Sequence, residues 1–221
     1  MNISFSDEIR AAAPALQVLI VEADVHNGPT GDALWEEIQQ ACARIGALPM
    51  EAVNKRPAIA ATRAAYKALG KEPNRYRPSA EALCRRAVKG LELYRTTALV
   101  DLVNLLSLLS GHSIGAFDAD AIAGNSIRLG RGEAGEPYEA IGRGMLNIEG
   151  LPVWRDATGG FGTPTSDNER TKLSDDTSRL LMTVNLYGPS EMAPDDFESL
   201  MRRLLTEYAG ATDIRISSYR P

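Results

Sequence analysis

VDLVNLLSLLSGHSIGAFD, residues 100–118, is the stretch of sequence that most constrains the fold. The part before Gly111 is apolar almost all round when it is placed on a helix. A helix without a polar face is normally buried among other elements, so the pattern predicts a central helix that ends near Gly111. The segment after it, SIGAFD, contains Gly115 and Ala116, whose small size lets another chain or a ligand approach the backbone closely.

Three polar residues of this helix, Asp101, Asn104 and Ser107, follow one another at intervals of three. Residues three apart are neighbours on a helix surface, so the three side chains share one side. A buried polar group without a hydrogen-bond partner costs about 1–3 kcal/mol, so these groups need partners. Two interpretations remain open: the side chains tie neighbouring loops to the helix, or they line and brace a pocket.

The segments on either side of this helix differ in character. Upstream, the sequence predicts one buried strand and three helices, over residues 16–25, 30–45, 57–70 and 78–90, with Thr30 as a helix cap. Downstream, glycines punctuate short alternating stretches, which is typical of strands joined by tight turns. A strand, a helix and a closing strand follow at 180–188, 194–208 and 212–221. Because helices and strands are partly segregated, the predicted class is α+β, in a single domain over residues 1–221.

Two glycine-rich stretches lie in the second half of the chain. DATGGFGTPTS, residues 156–166, offers N–H and O–H donors without bulk, which suits a carboxylate, an ester or a phosphate. The alternative interpretation is an ordinary long hairpin loop. GRGEAG, residues 130–135, does not have the strand-to-helix setting of a dinucleotide-binding turn, and it is interpreted as a hairpin.

The charge is distributed unevenly along the chain. The formal net charge is −5, but residues 55–95 carry eleven basic and three acidic residues and therefore a charge of +8. Such asymmetry suggests a local anion-binding face. The alternative is a set of helix faces whose charges are paired within the fold, as Glu81 and Arg85 would be at a helical spacing of four.

Several classes of chemistry lack their signatures here. Cys42 and Cys84 are too few for a disulfide framework, and neither they nor His26 and His112 have the spacing of metal ligands. The sequence contains no nucleotide phosphate loop and no GxSxG motif, so we predict no metal and no cofactor. The longest apolar stretch is too short for a membrane span, and the absence of a signal sequence at the N-terminus predicts a cytoplasmic protein.

Taken together, residues 100–118 resemble the tRNA-editing domain of the β subunit of phenylalanyl-tRNA synthetase. That domain has a V-D-x-x-N helix, then a glycine, then a segment that ends in H-A-F-D. GGFG, residues 159–162, falls where the domain has a glycine-rich turn, and residues 75–90 resemble the basic helix of stand-alone proteins built around it. The resemblance covers about residues 55–190, and the positions that match in order and spacing are Val100, Asp101, Asn104, Gly111, Ala116, Phe117 and Asp118.

The resemblance implies helices packed on an unusual β-sandwich core that holds a pocket for an aminoacyl group. In the synthetase this domain hydrolyses tyrosine wrongly attached to its tRNA, whereas the ligase modules are separate, so no ligase activity is expected here. The residues expected to contact the ligand are Asp101, Asn104, Gly115, Phe117, Asp118, Gly160, Gly162, Thr163 and Thr183. The residues expected to contact RNA are Arg75, Arg77, Ser79, Arg85, Arg86 and Lys89.

Two positions depart from the family pattern. Gly115 stands where the family has the histidine of H-A-F-D, and Thr183 stands where it has a glutamate, so no catalytic residue is assigned. One hypothesis is that the chain binds aminoacyl-tRNA or tRNA and acts as a trans-editing hydrolase, with a water held by backbone donors and the substrate's own ribose hydroxyl. The alternative is a non-catalytic binding protein for a free amino acid or a similar small molecule.

Overall fold

The computed structural model describes residues 1–221 and arranges them in three layers, with helices on one face of a β-sandwich. The α-helices are α1 Asp7–Ala12, α2 Asp32–Gly46, α3 Met50–Val53, α4 Pro57–Ala68, α5 Ser79–Val88, α6 Ala98–Ser110 and α7 Pro194–Ala209. The strands are β1 Asn2–Phe5, β2 Gln17–Asp24, β3 Ile114–Asp118, β4 Ser126–Arg131, β5 Glu139–Ala140, β6 Gly144–Met145, β7 Pro152–Arg155, β8 Gly160–Gly162, β9 Arg179–Leu186 and β10 Thr212–Tyr219.

The middle layer is an antiparallel sheet in the order β10-β2-β9-β3. Successive side chains of a strand point to opposite faces, and here both faces are buried. Ala116 and Met182 point to the helical layer, whereas Phe117 and Leu181 point to the other sheet. This explains why the strand at 180–188 is mostly apolar on both faces, with Thr183 and Asn185 as its buried polar residues.

The outer layer is a sheet in the order β1-β4-β7-β8, in which β1 pairs with β4 in parallel and the other pairs are antiparallel. Side chains from this sheet, among them Phe5, Leu129 and Trp154, pack against the middle sheet and form the sandwich core. A separate two-stranded ribbon, β5 with β6, lies in the connection between β4 and β7.

The central helix, α6, packs against α2, α5, α7 and β3. It ends where Gly111 adopts a left-handed conformation with φ of 76°, which an L-residue with a side chain rarely adopts. The prediction of a buried helix that stops at this glycine is therefore confirmed. None of the seven helices combines the length and apolar character needed to span a membrane.

The α+β class is confirmed, but three details of the sequence interpretation are wrong. Thr30 does not cap α2, because Gly31 holds that position and the Thr30 hydroxyl donates to Asp101 instead. GRGEAG is not a hairpin, since Gly130 and Arg131 pair with the distant strand β7. The elements that the sequence interpretation missed, β1, α1 and α3, have only four to six residues each, too few for a clear periodicity.

Candidate functional site

A cavity of about 310 Å³ lies between α6, β3 and the loop that follows β8. Val103, Ile114 and Ala116 give it an apolar wall. Its polar wall comes from distant parts of the chain and consists of Ser79, Thr96, Asn104, Ser107, Thr163, Ser166, Asp167 and Lys172. The size suits a small ligand, since small-molecule sites begin at roughly 300 Å³.

The three polar residues of α6 divide between the two interpretations of the sequence. Asp101 ties loops to the helix, because it accepts hydrogen bonds from the Thr30 hydroxyl and from the Thr96 hydroxyl and N–H. Asn104 and Ser107 line the cavity, and their side chains make no hydrogen bond within the protein. The partly exposed Asn104 amide is therefore available to a ligand, whereas Ser107 is 2% exposed.

Asp167 is the acidic residue of the cavity, and the sequence interpretation did not identify it. Its Oδ2 accepts one hydrogen bond, from the Ala116 N–H at 3.4 Å, and it forms no ion pair. The residue keeps partial exposure through the cavity, yet desolvation raises the pKa of its carboxyl to about 8. It lies one residue beyond the predicted loop at 156–166, and nothing local in the sequence indicates that it lies beside β3.

Four of the predicted ligand residues lie together on the opposite face of β3. Gly115 pairs with Thr183 across β3 and β9, and a Cβ on Gly115 would lie 2.6 Å from the Phe117 ring and 2.9 Å from the Thr183 hydroxyl. A Cβ on Gly162 would also clash with that ring. Phe117 is fully buried and packs edge-to-face on Phe161. The Phe117 ring thus fills the space beside both glycines, and a ligand contact at these four positions stays a prediction.

The remaining predicted ligand residues have mixed positions. Thr163 lines the cavity and organises its loop, because its hydroxyl donates to Ser166 O and accepts from two N–H groups. Asp118 accepts from Asp120 N and from the Thr177 hydroxyl. Gly160 packs near Val153 and the Tyr138 ring, outside the cavity.

The loop between β7 and β8 is a short hairpin held by a carboxylate. Asp156 accepts hydrogen bonds from Ala123 N, Thr158 N and Gly159 N, and it pairs with Arg170 at 2.9 Å. These contacts hold the pKa of Asp156 below its usual value despite desolvation. The interpretation of residues 156–166 as one long hairpin loop is therefore wrong in its extent, because only residues 156–159 form the turn and Gly160–Gly162 form β8.

The basic segment is largely paired within the fold. Glu81 is fully buried and receives Arg63 and Arg85 at 2.8 Å and Arg77 at 3.6 Å. The predicted Glu81–Arg85 pair is confirmed. The other basic residues of the segment with ionic or hydrogen-bonded partners are Arg56 with Glu191, Lys71 with two carbonyl groups, Arg86 with Glu92 O and Arg95 with Asp32.

Of the six predicted RNA contacts, Arg75 and Lys89 are exposed and have no acidic partner. Arg77 and Arg85 belong to the Glu81 network, and Arg86 lies over the Tyr94 ring at 4.5 Å. Ser79 lines the cavity and donates its N–H to Pro164 O. RNA binding by these residues stays a prediction.

Comparisons with known proteins identify relatives of this chain. A family model described as the B3/4 domain matches residues 61–198. The phenylalanine–tRNA ligase β subunit of Geobacter metallireducens is 29% identical over 115 residues, which cover 51% of this chain and 14% of that subunit. The chain therefore matches only a small part of that relative's length. An N-terminal fragment of the phenylalanyl-tRNA synthetase β subunit from Pyrococcus horikoshii aligns over 100% of this chain and 54% of its own, with 14% identity and a TM-score of 0.47.

Proposed function

The chain belongs to the B3/4 domain family, and from this premise we propose that it binds aminoacyl-tRNA with the aminoacyl group in the cavity beside α6. The observation that carries the proposal is that cavity. It has a polar wall whose Asn104 and Ser107 side chains are not engaged within the protein. The relative named as a tRNA ligase subunit supports a tRNA-related ligand. A cytoplasmic location, where charged tRNA is found, is part of this proposal.

The edge of β3 supports recognition of an ester. β3 is the last strand of its sheet, and the Ala116 N–H points away from β9 toward Asp167. Because the backbone groups of alternate residues point the same way along a strand, the Ile114 N–H is directed to the same free edge. Both residues line the cavity, so backbone donors lie beside the Asn104 amide. Such donors stabilise the negative charge that develops on an ester carbonyl during hydrolysis.

Trans-editing hydrolysis is the finer part of the proposal. Incubating the protein with tRNA charged with each of several amino acids tests it, and we expect faster release of one or a few of them. Gly115 and Thr183 provide no acid–base group, so the rate should depend on the polar wall of the cavity. Unchanged release for every amino acid, even at high protein concentration, would limit the function to binding.

The cavity itself is tested with Asn104→Leu, which keeps the side-chain volume and removes the amide. We expect this variant to bind charged tRNA about tenfold more weakly, because a hydrogen bond to the ligand is lost. Asp175→Asn serves as the matched control, since Asp175 is exposed and has no side-chain partner. Equal affinity of the wild-type protein and Asn104→Leu would contradict the assignment of the cavity.

A second candidate function is binding of a free amino acid or a similar small molecule. The Glu81 network favours it, because three arginines that RNA phosphates would otherwise attract are already paired. RNA binding releases counterions and weakens steeply as salt is raised, whereas binding of a small zwitterion depends little on salt. Titrations at low and high salt therefore separate the two functions.

A further inference from the structure

The carboxylates that are buried elsewhere in this fold have their hydrogen-bonding capacity used within the protein. Glu81 receives three arginines, Asp101 accepts from three donors, and Asp156 accepts from three N–H groups and pairs with an arginine. Asp167 has only the long hydrogen bond from Ala116. A desolvated carboxylate without a cationic partner is costly, and this cost raises the pKa of Asp167 to about 8, so a cation bound in the cavity would favour the ionised form of the group. Asp167 is therefore the exception that requires an explanation.

The basic residue that lines the cavity is paired with a residue other than Asp167 in this structure. Lys172 is the only basic residue that lines the cavity, and its Nζ lies 2.6 Å from Glu169 Oε2. Asp167 itself is in no ion pair with any basic residue of the chain. The second carboxylate oxygen has no hydrogen bond from the protein and lines a cavity large enough for a small ligand.

We propose that Asp167 is the specificity-determining residue that binds the α-ammonium group of the aminoacyl ligand. The inference rests on the proposed function and deepens it by naming the chemical group that is recognised. The cavity would then bind both polar groups of an aminoacyl ester, the ammonium group and the carbonyl. The carboxylate would pair with the ammonium group, and the Asn104 amide together with the unpaired Ile114 N–H would bind the adjacent carbonyl oxygen, while the Ala116 N–H holds Asp167 in place.

The placement of these groups matches the chemistry of an aminoacyl ester. In such a ligand the ammonium nitrogen and the ester carbonyl carbon are both bonded to the α-carbon. The protein groups that bind them must therefore lie close together. Asp167 contacts Ala116 directly, and Ala116, Ile114 and Asn104 line the same cavity. A ligand whose amine is acylated has lost its positive charge and carries extra bulk at the atom that faces Asp167. We therefore expect the cavity to bind such an acylated ligand much more weakly than the free amine.

The experiment uses a pool of bulk tRNA charged with a mixture of amino acids, before and after N-acetylation, with uncharged tRNA as the reference. We expect acetylation to weaken binding by the wild-type protein about tenfold or more, because a charge-assisted hydrogen bond is lost. Asp167→Asn should bind both charged pools weakly and equally. Asp175→Asn should behave as the wild-type protein does. Thermal unfolding of each variant, measured without ligand, checks that it is folded.

A second arm uses amino-acid methyl esters and their N-acetyl derivatives, and it measures the melting temperature. We expect at least one free-amine ester to raise the melting temperature of the wild-type protein, and none to raise that of Asp167→Asn. The N-acetyl derivatives should have no effect on either protein.

The two arms separate this inference from the proposed function. If charged tRNA binds better than uncharged tRNA but acetylation makes no difference, the ammonium assignment is overturned and the proposed function stands. If the methyl esters act through Asp167 but charging does not improve tRNA binding, the ammonium site stands and the tRNA function is overturned. If neither probe distinguishes the free amine from the acetylated one, the role of Asp167 is rejected.

Discussion

Glu81 determines how much of the basic segment is available at the surface. Its carboxylate is fully buried and holds Arg63, Arg77 and Arg85 around it. Sequence alone could predict Arg85, which lies four residues away on the same helix. Arg63 lies 18 residues away on α4, and no local pattern relates it to Glu81. Counting charges therefore overestimates the free positive charge of this surface.

Replacing Glu81 with glutamine should destabilise the protein by about 3 kcal/mol. The substitution leaves three arginines around a neutral group, and breaking a buried ion pair from one side typically costs about 3–5 kcal/mol. Urea denaturation measures the change in the free energy of unfolding. Glu139→Gln is the control, because Glu139 is exposed and should change stability by less than about 0.5 kcal/mol. Equal stability of the two variants would contradict the network.

His112 should make the protein sensitive to acid. It is 2% exposed, its Nδ1 has no hydrogen-bond partner, and burial together with nearby Arg56 lowers its pKa to about 4. The unfolded chain takes up this proton near pH 6.5, so the contribution is fully present above pH 6.5. It is lost as the pH falls toward 4, and the loss is on the order of 3 kcal/mol.

Comparing the wild-type protein with His112→Phe isolates this contribution. Denaturation curves between pH 7 and pH 4 should show the wild-type protein losing more of its free energy of unfolding than the variant, which has no group to titrate at this position. Parallel pH profiles for the two proteins would show that the His112 imidazole is not kept neutral by burial.

At the scale of the elements, the Phe117 ring of β3 packs against two glycines, Gly115 of the same strand and Gly162 of β8. A Cβ on Gly115 would lie 2.6 Å from that ring, so the family's histidine does not fit at this position without movement of the ring. Gly115→Ala should therefore destabilise the protein by about 1–3 kcal/mol through overpacking. The control is Gly28→Ala, since nothing lies within 4 Å of a Cβ at Gly28.

A double-mutant cycle tests the cause of that loss. In the Phe117→Leu background, Gly115→Ala should cost less, because the smaller side chain leaves room for the added methyl group. A positive coupling energy supports the packing explanation. Strictly additive costs would mean that the Phe117 ring is not what excludes a side chain at residue 115.

The success of the sequence interpretation depended on the range of the interactions that define each element. α6 and β9 are mostly apolar along their own length, so their sequences predict them without knowledge of the rest. β1 has four residues and exists because it pairs with β4, more than 120 positions away. The cavity could be predicted only in part for the same reason. Asn104 belongs to a local pattern, whereas Asp167 reaches the site through a contact with Ala116 across 51 residues.

For the whole molecule, two strands outside the family match, β2 and β10, complete the middle sheet. β2 is an inner strand of the middle sheet, between β10 and β9. Of these three strands only β9 lies within residues 61–198. A fragment of residues 61–198 would leave β9 unpaired on one side and would expose Val184 and Leu181. We expect this fragment to be unfolded by circular dichroism.

The full chain should instead unfold in one cooperative transition, as predicted for a single domain over residues 1–221. A chain that ends at Tyr219 is the matched control, because it keeps every strand and should melt as the full chain does. A fragment of residues 61–198 that folds on its own would show that the N-terminal strands are not needed for the middle sheet.

Binding of aminoacyl-tRNA by the cavity is tested most directly by measuring the affinity of the protein for one tRNA pool before and after it is charged. The salt concentration is kept fixed, because phosphate contacts depend on it and contribute equally to both forms. We predict that the charged pool binds about tenfold more tightly and that Asn104→Leu abolishes the difference. Equal affinity for charged and uncharged tRNA would contradict the proposed function.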